Sequence, residues 1–587
     1  MKFFFFECLM ALMSLAVAAQ TPPAPEPRDF AVDGVGYNIL SEEEGTVEVT
    51  YSKVFEESAK DFEGTLVIPE SVVHEGKSYR VVRIGELAFG YLAWKMSAVE
   101  LPHSLVEIGS QAFAYCENLT EVEIPGSVTY MEGNVFHGCT SLAKLIFADG
   151  EAPLELSGWT LFCMGSSIPT VPLKEVYIGR DMECTSYYSG SGLFSDTATP
   201  FSVTVGANVS SLGRRLFANS LMASVDLPDG LEMIGTETFS QCGRLSRVRL
   251  PNSVTAVGSR AFAECDSLSE VSLYVPGPDM GRPLALGEYA FSNCLALAAA
   301  DLPSGTVIGK GAFSGCSSLV EVRMADGVAA VGDYAFNSCA LKEIDLPGSV
   351  LRIGERSFYG CRALEAVGLH EGLDSIGERA FASCSALKEI RIPNSVTAIG
   401  EYAFQGCASL ASASTGHGVV DLNECVFSVC GSLNSLSLGR NVAYIGRSFA
   451  SDCKGLKQVY SYSPVPPVMD WWSVFPKEAY DNAVLYVPQG ALEAYRNASW
   501  WSSFVDIREM NASGAGAVKD GKVRVRAGSG CITVEGLEGG LALEVYDMGG
   551  RLVYSGKGTR IAVPQEGGYV VKVGGGTFKV FCGGRPD

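Results

Sequence analysis

The chain is 587 residues long and 47% hydrophobic, too long for one ordinary globular core and too apolar for a disordered tail. Its 44 Lys and Arg against 66 Asp and Glu leave a net charge of −22, which disfavours phosphate backbones and anionic lipid surfaces as partners. No nucleic-acid partner is expected, and the acidity serves solubility.

The N-terminus, "MKFFFFECLMALMSLAVAAQ", has a Lys after Met1, a short apolar run, and small residues at Ala16, Ala18 and Ala19. That order reads as a secretory signal peptide over 1–19, so the expected location is extracellular or on the outer-membrane surface. "TPPAPEP", residues 21–27, follows as a stiff spacer, and 20–80 is taken as spacer plus N-terminal cap.

From about residue 81 to 460 one pattern recurs: IP-x-S-V-x-x-I-G-x-x-A-F-x-x-C-x-x-L-x-x-I-x-I. Cys384, Cys407 and Cys430 stand 23 residues apart, each three residues after a Phe. In "LKEIRIP", residues 387–393, Ile390 and Ile392 face one way while Glu389 and Arg391 face the other, predicting a short strand with one buried side. Pro393 ends it, Gly400 is read as permitting a tight turn, and Phe404, Cys407 and Leu410 close the coil. One coil cannot bury this edge alone, whereas stacked coils can. A solenoid follows, with an inner strand face and a mostly irregular outer face.

"IPNSVTAIGEYAFQGCASL" resembles the repeat of BspA-like leucine-rich repeat proteins. The resemblance implies a right-handed leucine-rich-repeat solenoid with short parallel strands and little helix. Residues 30–51 resemble the family's N-terminal cap, and 465–507 its C-terminal cap, placed here at 461–510. Residues 148–215 keep only traces of the repeat and are read as an irregular insert; 274–284 form a smaller one. Inserted loops often lie on a recognition face, and neutral drift in a tolerant scaffold is the competing reading. Tyr187 and Tyr188, in the larger insert, are candidate ligand contacts.

Twelve of the 18 cysteines form a ladder: Cys116, Cys139, Cys242, Cys265, Cys294, Cys316, Cys339, Cys361, Cys384, Cys407, Cys430 and Cys453. No Cys-x-x-Cys pair exists and the five histidines do not cluster, so neither metal nor cofactor is expected. A dozen equivalent thiols do not make one nucleophile. Parallel stacking leaves Cβ atoms about 4.8 Å apart where a disulfide wants about 3.8 Å, so the ladder is read as buried core. Cys163 and Cys184 are the better disulfide candidates. Trp471, Trp472, Trp500 and Trp501 read as a hydrophobic plug over the last coil; as ligand contacts, Trp472 and Trp500 are the candidates.

Residues 511–521 form a small-residue linker, and 522–587 alternate as short strands with glycine turns, predicting a small antiparallel β-sandwich. "VYDMGGRLVYSG" (545–556) and "GGYVVKV" (567–573) resemble the C-terminal sorting domain of type IX secretion substrates, although the chain closes with "FCGGRPD". That resemblance implies the outer-membrane secretion machinery as a partner; a passive sandwich is the alternative. No catalytic constellation is found, so no enzyme is expected; the resemblance to BspA-like proteins implies a surface adhesin for extracellular proteins or glycans of host matrix, epithelial or bacterial surfaces. Capture of extracellular glycans or peptides is the alternative.

Overall fold

The computed structural model describes residues 28–50, 64–90, 95–158, 160–162, 171–185, 192–273, 283–469 and 473–510. In the C-terminal segment it describes 524–528, 531–535, 543–547, 552–556, 560–563, 567–573 and 576–582. The chain divides between Arg508 and Glu509 into two units.

The first unit is a parallel-strand leucine-rich-repeat solenoid around one apolar core that runs from Phe30 to Phe504. Along one side, successive coils contribute strands of three to five residues that pair in parallel in several consecutive sheets. Glu389–Arg391, Ser412–Ser414 and Ser435–Leu438 pair in register, with Glu389 opposite Ser412 and Ser412 opposite Ser435. The middle residues Ile390, Ala413 and Leu436 are buried and their neighbours face out, as alternation requires.

The opposite side is more regular than the sequence suggests. A second parallel ladder is built from two-residue strands such as Ser375–Ile376 and Ala398–Ile399, the "AIG" segment of each repeat. Between the ladders the Ala-Phe-x-x-Cys corner forms a third line of bonds. The N–H groups of Arg379, Phe381 and Ser383 donate to the carbonyls of Glu401, Ala403 and Gln405 on the next coil at 2.9, 2.8 and 2.7 Å. The intervening N–H groups of Ala380, Ala382 and Cys384 donate back three residues within the turn. Arg379 (φ 52°) and Ser383 (φ 63°) adopt left-handed backbone, which costs about 1–2 kcal/mol for a non-glycine residue. The coil-to-coil bonds offset that cost by leaving these buried backbone groups paired.

The glycine after the short strand serves close approach rather than a turn. A Cβ on Gly377 would lie 2.6 Å from the carbonyl carbon of Gly354 and 2.7 Å from the nitrogen of Glu355, and its φ is not left-handed.

Residues 148–215 are drawn into the solenoid. Leu154–Leu156, Glu175–Ile178, Met182–Cys184, Phe201–Val205 and Ser211–Leu212 all continue the two ladders in parallel register. The added length enlarges coils: Lys144 pairs with Glu175, 31 positions on, and Glu175 with Ser202, 27 positions on. The buried Arg180 staples these larger coils. Its Nη1 donates to the Gly126 carbonyl at 2.6 Å and its Nη2 to Pro125 at 2.9 Å, with no ion pair to a carboxylate among the described residues. Burial pulls its pKa down to about 10.

Both ends of the core are covered. At the N-terminal end, Phe30–Val32, Val35–Ser41 and Thr46–Thr50 run antiparallel, and Thr46–Thr50 then pairs parallel with Lys77–Ile84 to start the second ladder. At the other end two short helices, Lys477–Asn482 and Leu492–Asn497, flank the strand Val484–Val487. The second unit consists of two antiparallel sheets, Arg524–Gly528/Cys531–Glu535/Arg560–Ala562 and Leu552–Gly556/Leu543–Asp547/Gly567–Val573/Gly576–Cys582. They share a core that includes Ile532, Val545 and Val571, fitting a small β module.

Candidate recognition surface

The cysteines come first because their chemistry bounds what the scaffold can do. All twelve ladder cysteines are buried with free thiols. Phe217, Phe239, Phe262, Phe291, Phe313, Phe336, Phe358, Phe381, Phe404 and Phe427 stack beside them with ring centroids 5.0–5.5 Å apart.

Each thiol points back along the stack. Cys384 Sγ lies 3.2 Å from the carbonyl oxygen of Phe358, and Cys407 Sγ 3.3 Å from that of Phe381. The same Phe carbonyl also accepts the N–H of the Cys three residues later in its own coil. The ladder position therefore accommodates a small side chain with a donor, and in the coil of Phe217 it is Ser220, 3.6 Å from Cys242 Sγ. Burial pushes Cys242 and Cys361 up to about 12 and Cys384 well above its ordinary value. Such thiols stay protonated and are poor nucleophiles and poor metal ligands. Among the described residues no group of three or more His, Cys, Asp or Glu could hold a metal ion. Cys184 is half-buried with a free thiol, and Cys163 lies outside the described residues.

The outward side of the long-strand ladder is an ordered, solvent-facing surface. Several of its side chains are paired across coils or within a strand: Lys144 with Glu121 at 2.8 Å, Arg247 with Glu270 at 3.1 Å, Arg323 with Glu321 at 2.6 Å, and His370 Nε2 with Asp345 at 2.7 Å. Exposed pairs of this kind contribute about 0–1 kcal/mol each. They leave a surface of both signs in which acidic residues outnumber basic ones.

Beyond Arg391 the character changes. The next outward residues are Ser412 and Ser414, then Ser435 and Ser437, then Gln458 and Tyr460, then Val484 and Tyr486. Tyr460 and Tyr486 stack at 4.8 Å with an 11° interplanar angle. Burial, then the nearby Tyr486 and Tyr462, push the Tyr460 hydroxyl above its ordinary pKa.

The candidate contacts separate. Trp501 is fully buried, donates from Nε1 to the Pro467 carbonyl at 2.7 Å, and packs edge-on against Tyr495. Trp500, its neighbour, has left-handed backbone (φ 66°) and stays 38% exposed, so it is no part of the plug. Trp471, Trp472, Tyr187 and Tyr188 lie outside the described residues. The serine and tyrosine columns were not singled out from sequence. Aligning the outward positions of "SAS", "SLSL", "QVYS" and "VLYV" repeat by repeat would have found them.

The sequence matches the BspA type leucine-rich repeat region in six copies, over 77–175, 185–276, 285–392 and 351–465. Among solved structures, a leucine-rich repeat protein from Bacteroides ovatus is 24% identical with a TM-score of 0.40, the match covering 82% of this chain and all of that one. A leucine-rich cell surface protein from Faecalibacterium prausnitzii is 24% identical with a TM-score of 0.33, over 70% of this chain and 95% of the other. The pneumococcal vaccine antigen PcpA is 16% identical with a TM-score of 0.29, over 82% and 98%. No curated protein matches the chain.

Proposed function

Because this chain belongs to the BspA-type leucine-rich repeat family, we propose that it is a recognition protein, an adhesin that contacts extracellular proteins or glycans through its repeat scaffold. The observation that carries this reading is the outward side of the long-strand ladder: ordered, solvent-facing, continuous over many coils, and free of reactive groups. A surface of that kind supports many weak contacts at once. Effective concentration then raises avidity without any single strong site.

Export fits the same reading. Residues 1–19 have the charge and hydropathy order of a signal peptide. In the C-terminal unit the antiparallel strands Leu543–Asp547 and Gly567–Val573 carry the segments that resemble a type IX sorting domain, which would deliver the protein to the outer-membrane secretion machinery. Deleting residues 511–587 and fractionating the producing cell tests that part. Retention of the truncated protein in the periplasm is expected, and unchanged surface display overturns the sorting role. For recognition itself, the test is saturable binding of the purified chain to immobilised matrix proteins, mucin glycans or whole cells. Absence of binding to all three, with the protein folded, counts against adhesion.

A further inference from the structure

The uncharged stretch of the strand surface has walls as well as a floor. Column by column, Arg391, Ser414, Ser437, Tyr460 and Tyr486 occupy the same outward position on successive strands. Arg391 and Tyr460 are three strand spacings apart, about 14 Å at about 4.8 Å each. Only two serines fill that interval. Tyr486 covers one face of the Tyr460 ring; the other face looks over the serines, which are too short to reach it.

A third side is closed by Tyr462. Its ring reaches back across the coil of Gly439 to meet His417 edge-on, with centroids 5.9 Å apart. Tyr462 is 43% exposed, so an aromatic edge is held in solvent over glycine. His417 Nδ1 accepts the Arg440 N–H at 3.2 Å, which leaves its proton on Nε2.

The serine hydroxyls of this trough face outward unused, while the Tyr460 hydroxyl donates to Gln458 Oε1 at 3.3 Å. The hydroxyls of Ser414 and Ser437 have no partner among the described residues, and each can both donate and accept. Two of the bordering charges are closed on themselves: Arg391 Nη2 lies 3.4 Å from Glu389 Oε2, and Arg508 contacts Asp506 at 2.9 and 2.5 Å. The exposed Arg440 stands at the edge beside His417, but the floor of the trough carries no charged side chain. A ligand complementary to it is uncharged, rich in hydroxyls, and has a flat C–H face to lay on an aromatic ring. A π face is the negative side of its quadrupole and attracts weakly positive C–H groups.

We propose that the trough of Ser414, Ser437, Tyr460, Tyr462 and His417 is a binding subsite for a neutral saccharide ring stacked on Tyr460. The serine hydroxyls and His417 Nε2–H bond the sugar hydroxyls. The subsite deepens the recognition reading by giving it a ligand class, and it rests on that reading only for its biological use.

The test uses the full chain and immobilised neutral oligosaccharides (lactose, N-acetyllactosamine, maltotriose and diacetylchitobiose), with sialyllactose and a proline-rich peptide in parallel. Ser437→Arg fills the trough with the residue type that Arg391 already carries in the same column, so folding is retained; Tyr460→Ala removes the platform. Saturable binding of at least one neutral sugar, weakened tenfold or more by each variant, is the expected result. Binding of only sialyllactose or only the peptide, or variants that bind like the parent, overturns it. Whole-cell binding is read alongside. Cell binding without sugar binding overturns the trough and spares adhesion; sugar binding with no binding to cells, mucin glycans or matrix proteins supports the trough and overturns adhesion.

Discussion

Replacing Cys384 asks what the cysteine ladder does. The side chain is fully buried, its sulfur 3.2 Å from the Phe358 carbonyl oxygen. Read from sequence alone, Ser at this position costs about 1–3 kcal/mol through an unsatisfied hydroxyl, and Ala costs less. The structure changes that expectation because an acceptor is in place. Phe358 O also keeps the N–H of Cys361 at 3.2 Å, so Cys384→Ala orphans no carbonyl. Ala then loses the burial of one sulfur-sized group, about 1 kcal/mol on the methylene scale, plus a weak donor bond, for about 1–2 kcal/mol together. Serine keeps a donor on a shorter bond, loses the apolar burial of the sulfur, and comes to about the same 1–2 kcal/mol. Ser220 occupying the equivalent position agrees with that tolerance. Urea denaturation of the full chain, comparing midpoints at unchanged slope, measures both. A serine variant weaker than the alanine variant by more than about 2 kcal/mol would refute the donor role.

Other consequences follow from the same geometry. Gly377→Ala drives a Cβ into the backbone of Gly354 and Glu355 and should cost about 3 kcal/mol or more, whereas Gly243→Ala, with nothing within 4 Å, should change stability by less than 1; equal thermal shifts would count against the close-approach reading. Arg180→Met removes the one donor seen at the Gly126 carbonyl among the described residues, while Pro125 keeps the Val128 N–H at 3.1 Å, and should cost about 1–3 kcal/mol in the same urea assay; a neutral result would show that water replaces the guanidinium. The raised thiols make the fold alkali-sensitive. Their folded pKa lies above the unfolded value of about 9, so their contribution is complete below pH 9 and is lost as pH rises toward 12. Each thiol should lose about 1.4 kcal/mol at pH 10, and a Cys242→Ala/Cys361→Ala chain should lose correspondingly less between pH 7 and pH 10; identical losses would contradict this.

Much of this molecule is readable because its period repeats. Phe and Cys at fixed offsets identify coil corners, and "EIRI" alternation identifies the long strands. The second ladder escapes such reading because two residues, as in Ala398–Ile399, carry no detectable alternation. Gly377 looks like a turn residue until the neighbouring coil is placed against it. The stretch 148–215 looks irregular because its coils are longer, not because its strands are missing. Trp500 and Trp501 are adjacent and equivalent by composition; only tertiary packing decides that Trp501 is buried and Trp500 exposed. The saccharide trough was hidden for a similar reason. Ser414, Ser437 and Tyr460 lie 23 residues apart and meet only through strand register.

The central claim is that the outward side of the long strands is the recognition surface. Binding of the full chain to immobilised matrix proteins, mucin glycans and whole cells should be compared for two variants of equal stability. Gln458→Arg alters that surface, and Val307→Arg alters an exposed position on the second ladder. The account predicts saturable binding to at least one class, reduced tenfold or more by Gln458→Arg and unchanged by Val307→Arg. Loss with Val307→Arg and retention with Gln458→Arg would move recognition to the opposite side and contradict it.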